Sequence, residues 1–203
     1  MGTPVRPSFK EQMLAAREEA IVQSASRLLA DKGFDAMTVD EVAANVGIAK
    51  ASLYKHFESK EDLAAAAMVR VLRRALQFLD DIDPQLAPMD KLKAMVRWTL
   101  QVRLAGEMPA VPGAGSSLRA ALQANRDYAQ CLVLAGERVG SWIQQAQEQG
   151  ALNASLPVSA VLYTLYARAC DPVVDFLQVA GEQRDEDIVE LVVSTCFDGL
   201  SAR

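Results

Sequence analysis

The residues able to do chemistry gather between Thr38 and Lys60, in TVDEVAANVGIAKASLYKHFESK. Lys50, Ser52, Lys55 and His56 share one side of a short helical pattern, because Leu53 and Phe57, four residues apart, take the other. Lysines supply salt-dependent affinity for phosphates, and one at a helix start can reach a guanine edge. Ala51 and Ser52 are small enough for close approach to bases, with Ala51 able to meet a thymine methyl. Tyr54 and His56 each have a polar tip that can donate to a phosphate. This chemistry is recognition of a nucleic acid. Catalysis has no comparable support: His56 is the single histidine, with no nucleophile pattern around it. Cys131, Cys170 and Cys196 are far apart and lack metal-ligand spacing, so free buried thiols are expected. There is no phosphate-cradling glycine loop and no pair of carboxylates with a nucleophile. The expectation is a protein that is not an enzyme and needs no metal or cofactor.

Taken singly, each residue has a plainer reading. Thr38 caps a helix, Tyr54 is core with its hydroxyl at the surface, His56 is a surface histidine, and Lys50 and Lys55 form a solvated face. Together, at this spacing on one helix, they favour recognition. The elements that position them follow from local signals. Thr38 with Glu41 three residues on has the form of a capping box, and Val39, Val42 and Ala43 give the helix an apolar side. Gly47, between Val46 and Ile48, suits a tight turn. Lys50–Phe57 is the second helix, and two short helices about a glycine turn make a helix-turn-helix. A bracing helix is expected over Phe9–Lys32, with Ala16, Ala20, Ile21, Ala25, Leu28 and Leu29 on one stripe and Gly33 as its stop. Met1–Ser8 reads as an arm carrying Arg6, either a disordered tail or a basic segment for the minor groove.

Beyond Lys60 the pattern stays helical. Ser59 caps a helix running to about Leu79 with no linker before it. Further helices are expected over Lys91–Leu104 (capped by Asp90), Leu118–Gln123, Asn125–Gln149 and Val158–Leu177, the last kinked or broken at Asp171-Pro172. A final helix covers Glu186–Leu200, with Ile188, Leu191, Val192, Thr195 and Leu200 on one side. Glu107–Ser117 is too rich in Pro and Gly to be helical, and its Met108 and Val111 can fold over something apolar. The predicted fold is all-α, an N-terminal three-helix helix-turn-helix DNA-binding domain (9–60) followed by a larger helical ligand-binding and dimerisation domain (61–203). In that larger part Met95, Trp98, Met108, Tyr128, Trp142, Tyr163 and Tyr166 are candidate walls of a pocket for a hydrophobic ligand, or else core. Arg168 can pair internally with Asp171 or Asp175, or meet an anionic ligand.

Charge sharpens the division. The net charge of 203 residues is −5. Residues 1–60 hold 8 Lys/Arg and 8 Asp/Glu; taking these from totals of 21 and 26 leaves 13 and 18 beyond. The helix-turn-helix region is neutral, so DNA recognition rests on a face and not on bulk charge. No apolar run reaches membrane-spanning length and no signal-peptide core is visible, which points to a cytoplasmic protein.

The string TVDEVAANVGIAKASLYKHFESKEDL resembles the TetR family of transcriptional regulators. Thr38, Val42, Ala43, Val46, Gly47, Leu53, Tyr54, His56, Phe57, Lys60 and Leu63 stand at its signature positions, and the likeness covers about residues 16–63. The resemblance implies that Thr38, Tyr54, His56 and Lys60 hold phosphates, while Lys50, Ala51, Ser52 and Lys55 face bases or flanking backbone. It also implies a homodimer through the last two helices, a palindromic double-stranded operator and a small-molecule effector; most members are repressors. A ligand-independent activator or architectural DNA binder is the alternative, and a helical enzyme or binding protein that has lost DNA recognition is a third. Ala49 stands where a capping serine is common and Ala51 where glycine is common, so operator rules do not transfer from relatives.

Overall fold

A computed structural model describes residues 8–113 and 115–200. Those residues form helices and connecting turns with no strand. The order is α1 (Phe9–Ala36), α2 (Val39–Val46), α3 (Lys50–Leu53), α4 (Lys60–Asp81), α5 (Pro88–Leu104), α6 (Ser117–Ala124), α7 (Arg126–Glu148), α8 (Val158–Tyr166), α9 (Pro172–Ala180) and α10 (Asp185–Phe197), with a 3₁₀ turn at Ala167–Cys170. No helix among the described residues is long and apolar enough to cross a membrane.

Local chemistry sets most boundaries. Ser8 begins α1 with a capping box to Glu11, so it is a helix cap and not part of an arm; residues 1–7, including Arg6, lie outside the described residues. Gly33 interrupts α1 at φ 75°, where expected, but one further turn follows through Ala36. Thr38 and Glu41 form the reciprocal capping box, and Gly47 ends α2 in the left-handed region at φ 70°. The α5 helix starts earlier than expected, because Pro88, which needs no N–H partner, occupies its first turn; Asp90 lies inside that turn and Ala87 precedes it. Asp171-Pro172 is a break. Asp171, only 6% exposed, accepts from the Val173 N–H and starts α9. The last helix ends at Phe197. Ile188, Val189, Val192 and Val193 face inward, whereas Leu191 and Leu200 are exposed.

The second helix of the helix-turn-helix differs most from expectation. Regular α-helix covers only Lys50–Leu53. The Lys55 and His56 N–H groups donate to carbonyls three residues back, Ser52 and Leu53, at 3.2 and 2.9 Å, which tightens the chain into a turn. Ala49 provides no side-chain cap. Leu53 and Phe57 are nonetheless both buried, as their spacing demands.

Two apolar cores result. The N-terminal core joins Ile21, Ala25 and Leu29 of α1, Val42 of α2 and Leu53 and Phe57 around α3. It also takes Leu63, Ala64, Ala67 and Met68 of α4, and Leu118 and Leu122 of α6. The second core joins Leu79 of α4 to α5, α7, α8, α9 and α10. Thus α4 is shared between the two, and packing does not divide at residue 60. Leu63 is fully buried in the first core. Leu63→Ala is expected to cost about 2–5 kcal/mol, the range for a buried leucine deletion, read from urea unfolding.

Candidate nucleic-acid interface and apolar cavity

The exposed face of α3 and the turn after it carries five of the eight residues predicted for DNA. Lys50, Ala51, Tyr54 and Lys55 are exposed and Ser52 is half-buried, while Leu53 beneath them anchors the turn. Thr38, also exposed, is held in its capping box: its hydroxyl donates to Glu41 Oε2 at 2.7 Å and accepts from the Glu41 N–H at 3.3 Å. Glu41 also pairs with Lys32 of α1, tying the bracing helix to α2.

Two predicted residues turn inward. The His56 side chain is only 7% exposed, with Nδ1 3.8 Å from Glu18 Oε2 on α1. It is neither a surface histidine nor presented on the α3 face, because the turn after Leu53 rotates it toward α1. The Lys60 ammonium donates to the Asp35 carbonyl at 3.3 Å and lies 4.4 Å from the Phe34 ring centre. Both partners draw it against the end of α1.

The second feature is a cavity of about 230 Å³ between α4, α5, α7 and the segment after α5. It is walled mainly by apolar groups, and of the candidate wall residues Met95, Trp98, Met108, Tyr128 and Tyr166 line it. Pro109 and Val111 join Met108, so the Pro- and Gly-rich loop does fold over an apolar space. Trp98 stacks on Phe78 with ring centres 5.0 Å apart. The Tyr166 hydroxyl is buried without a protein partner, and burial pushes its pKa up to about 12. Burial likewise raises that of Tyr128.

Three predicted wall residues lie elsewhere. Trp142 is packed in the second core under Lys91. Tyr163 is 69% exposed, on the outward side of α8. Arg168 pairs with Asp171 at 2.5 Å, the internal alternative, and does not line the cavity. Sequence reasoning missed Met68, Val71 and Leu72, which α4 contributes to the wall. Their signal was the apolar stripe of α4, which reads equally as core. Among the described residues no cluster of His, Cys, Asp or Glu could hold a metal ion. Cys131, Cys170 and Cys196 are free; the first is buried and the others half-buried.

Comparison with known proteins bears on the helix-turn-helix. Residues 21–67 match the family model described as bacterial regulatory proteins, tetR family. The helix-turn-helix segment is therefore similar to that of the TetR family. Over 83 residues it is 35% identical to an uncharacterized HTH-type transcriptional regulator, YerO, of Bacillus subtilis, covering 39% of this chain and 29% of that protein. Over 86 residues it is 35% identical to the HTH-type transcriptional repressor KstR2 of Mycolicibacterium smegmatis, covering 40% of each. The chain thus spans well under half the length of these relatives. The fold extends further. The transcriptional regulator FadR from Bacillus subtilis, solved in complex with stearoyl-CoA, superposes with a TM-score of 0.68 at 15% identity, over 90% of this chain and 99% of that one. This TetR fold has an N-terminal helix-turn-helix domain and a larger helical C-terminal part.

Glu41 provides a pH test. Its bonds from Lys32 and Thr38 hold its carboxyl at about 2, below the ordinary 4.5. A depressed carboxylate stabilises the fold above the unfolded value and loses that contribution as pH falls toward the folded one. Glu41→Gln keeps the capping acceptor but removes the charge. The wild type is expected to melt higher than Glu41→Gln above pH 4.5, with the gap closing between 4.5 and about 2. A gap independent of pH would rule out this role for the charge.

Proposed function

We propose that this protein is a DNA-binding transcriptional repressor, acting as a homodimer on a palindromic operator and released by a small, largely hydrophobic molecule. The observation that carries the reading is the exposed, polar and basic face of α3 on a TetR-family helix-turn-helix. Lys50, Ala51 and Ser52 would approach base edges, with Tyr54 and Lys55 on the backbone. Thr38, at the start of α2, can add a phosphate contact. His56 would act indirectly, by seating the turn on α1, and Lys60, whose ammonium keeps two donors beyond its bond to the Asp35 carbonyl, can add a phosphate contact.

The effector reading rests on the cavity. Its walls come from α4, which runs without interruption from the helix-turn-helix, so occupation can favour one position of α4 over another. At about 230 Å³ it is smaller than the roughly 300–1,000 Å³ of most ligand sites. A larger ligand, such as the acyl chain carried by the Bacillus subtilis neighbour, would have to displace the loop holding Met108 and Val111. Dimerisation is supported by exposed apolar side chains on the late helices: Tyr163, Phe176, Val179 and Leu191. A dimer would place two recognition helices one DNA turn apart, about 34 Å.

Gel shift on the DNA upstream of the coding region is expected to show competitor-resistant binding that an apolar effector abolishes. Absence of such binding at moderate salt would sink the repressor reading, and a monomer by light scattering at micromolar concentration would remove the dimer. Lys55→Ala should weaken binding to all sequences alike and reduce the salt slope by about 1 per lost phosphate contact. A change in sequence preference instead would place Lys55 on the bases.

A further inference from the structure

Lys50 does not stand alone at the start of α3. Its ammonium lies 2.8 Å from Oδ2 of Asp40, in the first turn of α2. The two side chains are 49% and 67% exposed, and a pair so exposed contributes little to folding. A carboxylate beside the leading lysine of the recognition helix also opposes phosphate binding. As an acidic residue in the first turn of α2, Asp40 gains a small favourable interaction with the helix dipole, but that needs no lysine beside it, and non-specific attraction disfavours it.

Resting on the DNA-binding reading above, we propose that Asp40 and Lys50 together read one G·C base pair in each half-site. Lys50 donates to guanine O6 and N7, and Asp40 accepts from cytosine N4. The match is geometric and chemical. In a G·C pair, O6 accepts a hydrogen bond from N4, so the two atoms lie about 2.7–3.2 Å apart, and each also faces the major groove. The two protein groups are separated by 2.8 Å and carry the complementary sense: a donor for the acceptor and an acceptor for the donor. An A·T pair fits less well. A carboxylate at adenine N6 would lie beside the N7 acceptor, and thymine offers a lysine one acceptor beside a methyl group. In free protein the pair holds Lys50 in place. Because it is exposed, exchanging it for base contacts sacrifices little.

Selection from randomised duplex DNA by the full chain, run in parallel on wild type, Lys50→Ala, Asp40→Ala and Asp40→Asn, tests this. The wild type should enrich half-sites with one G·C pair whose preference falls about tenfold in both Lys50→Ala and Asp40→Ala, at the same position. Asp40→Ala should also bind a non-specific duplex more tightly, having lost a negative charge. Asp40→Asn should share that gain but keep part of the preference through its carbonyl. A fall of no more than a few degrees in melting temperature, the loss of a first-turn carboxylate, is expected for both Asp40 variants; a substantially larger fall would assign the carboxylate to the fold and overturn the inference. It is equally overturned if Asp40→Ala leaves that position intact, relaxes a different one from Lys50→Ala, or if the shared position prefers A·T. If the wild type enriches no sequence at all, the DNA-binding reading itself falls, and the inference with it.

Discussion

The structure depends on α4 being one unbroken helix buried in two cores. Its 22 residues span about 33 Å. Leu63, Ala64 and Ala67 belong to the core of the helix-turn-helix, and Leu79 to the core of the larger part. Between them Met68, Val71 and Leu72 face the cavity. The small side chains at Ala64, Ala65 and Ala67 let α4 lie close to the N-terminal core. Arg70 pairs with Glu19 of α1 at 2.6 Å, and Arg74 with Glu107 beside the cavity loop at 2.7 Å. A shift of α4 cannot be absorbed in a linker, because none exists. It must repack one core or the other, and close-packed interiors resist continuous deformation.

The α3 face shows how little regular helix is needed to present it when its anchors are secure. Leu53 is fully buried and Phe57 nearly so. These two contacts orient the turn, and His56 closes it against Glu18 of α1. With Ala49 unable to cap, one helical turn followed by a tighter turn satisfies the backbone donors. Lys50, Ala51, Tyr54 and Lys55 project outward because the inward positions are occupied. The overall neutrality of residues 1–60 is also visible in contacts, since Lys50 and Lys32 each meet a carboxylate of α2. In the reading proposed here, affinity then depends on shape and on paired binding more than on charge.

The cavity is apolar because the helices around it present sides that also build the two cores: Met68 belongs to the first, and Leu79, Met95, Ala135 and Leu165 to the second. Its polar edge is confined to groups such as the Tyr128 and Tyr166 hydroxyls and Thr99, whose own hydroxyl already donates to the Met95 carbonyl. Arg103 and Arg168, which do not line the cavity, pair with Asp175 and Asp171. Among the described residues no charged side chain lines it, which suits a largely hydrophobic occupant.

By itself the sequence determined the all-α architecture, the capping box at Thr38, the turn at Gly47 and the buried pair Leu53 and Phe57. These are local or periodic properties: a cap needs partners three residues apart, and an apolar stripe must bury itself. Tertiary structure alone decided the rest. Periodicity marks a residue as inward but not which inward space it meets, so Trp142 went to the core while Trp98 reached the cavity. Tyr163 lies on the outward side of α8, a distinction made only by how α8 packs on α7. His56 and Lys60 met partners on α1, 38 and 25 residues earlier in the chain, and Asp40 met Lys50 across the turn. Contacts between elements depend on the angle at which helices cross, and no single helix encodes that angle.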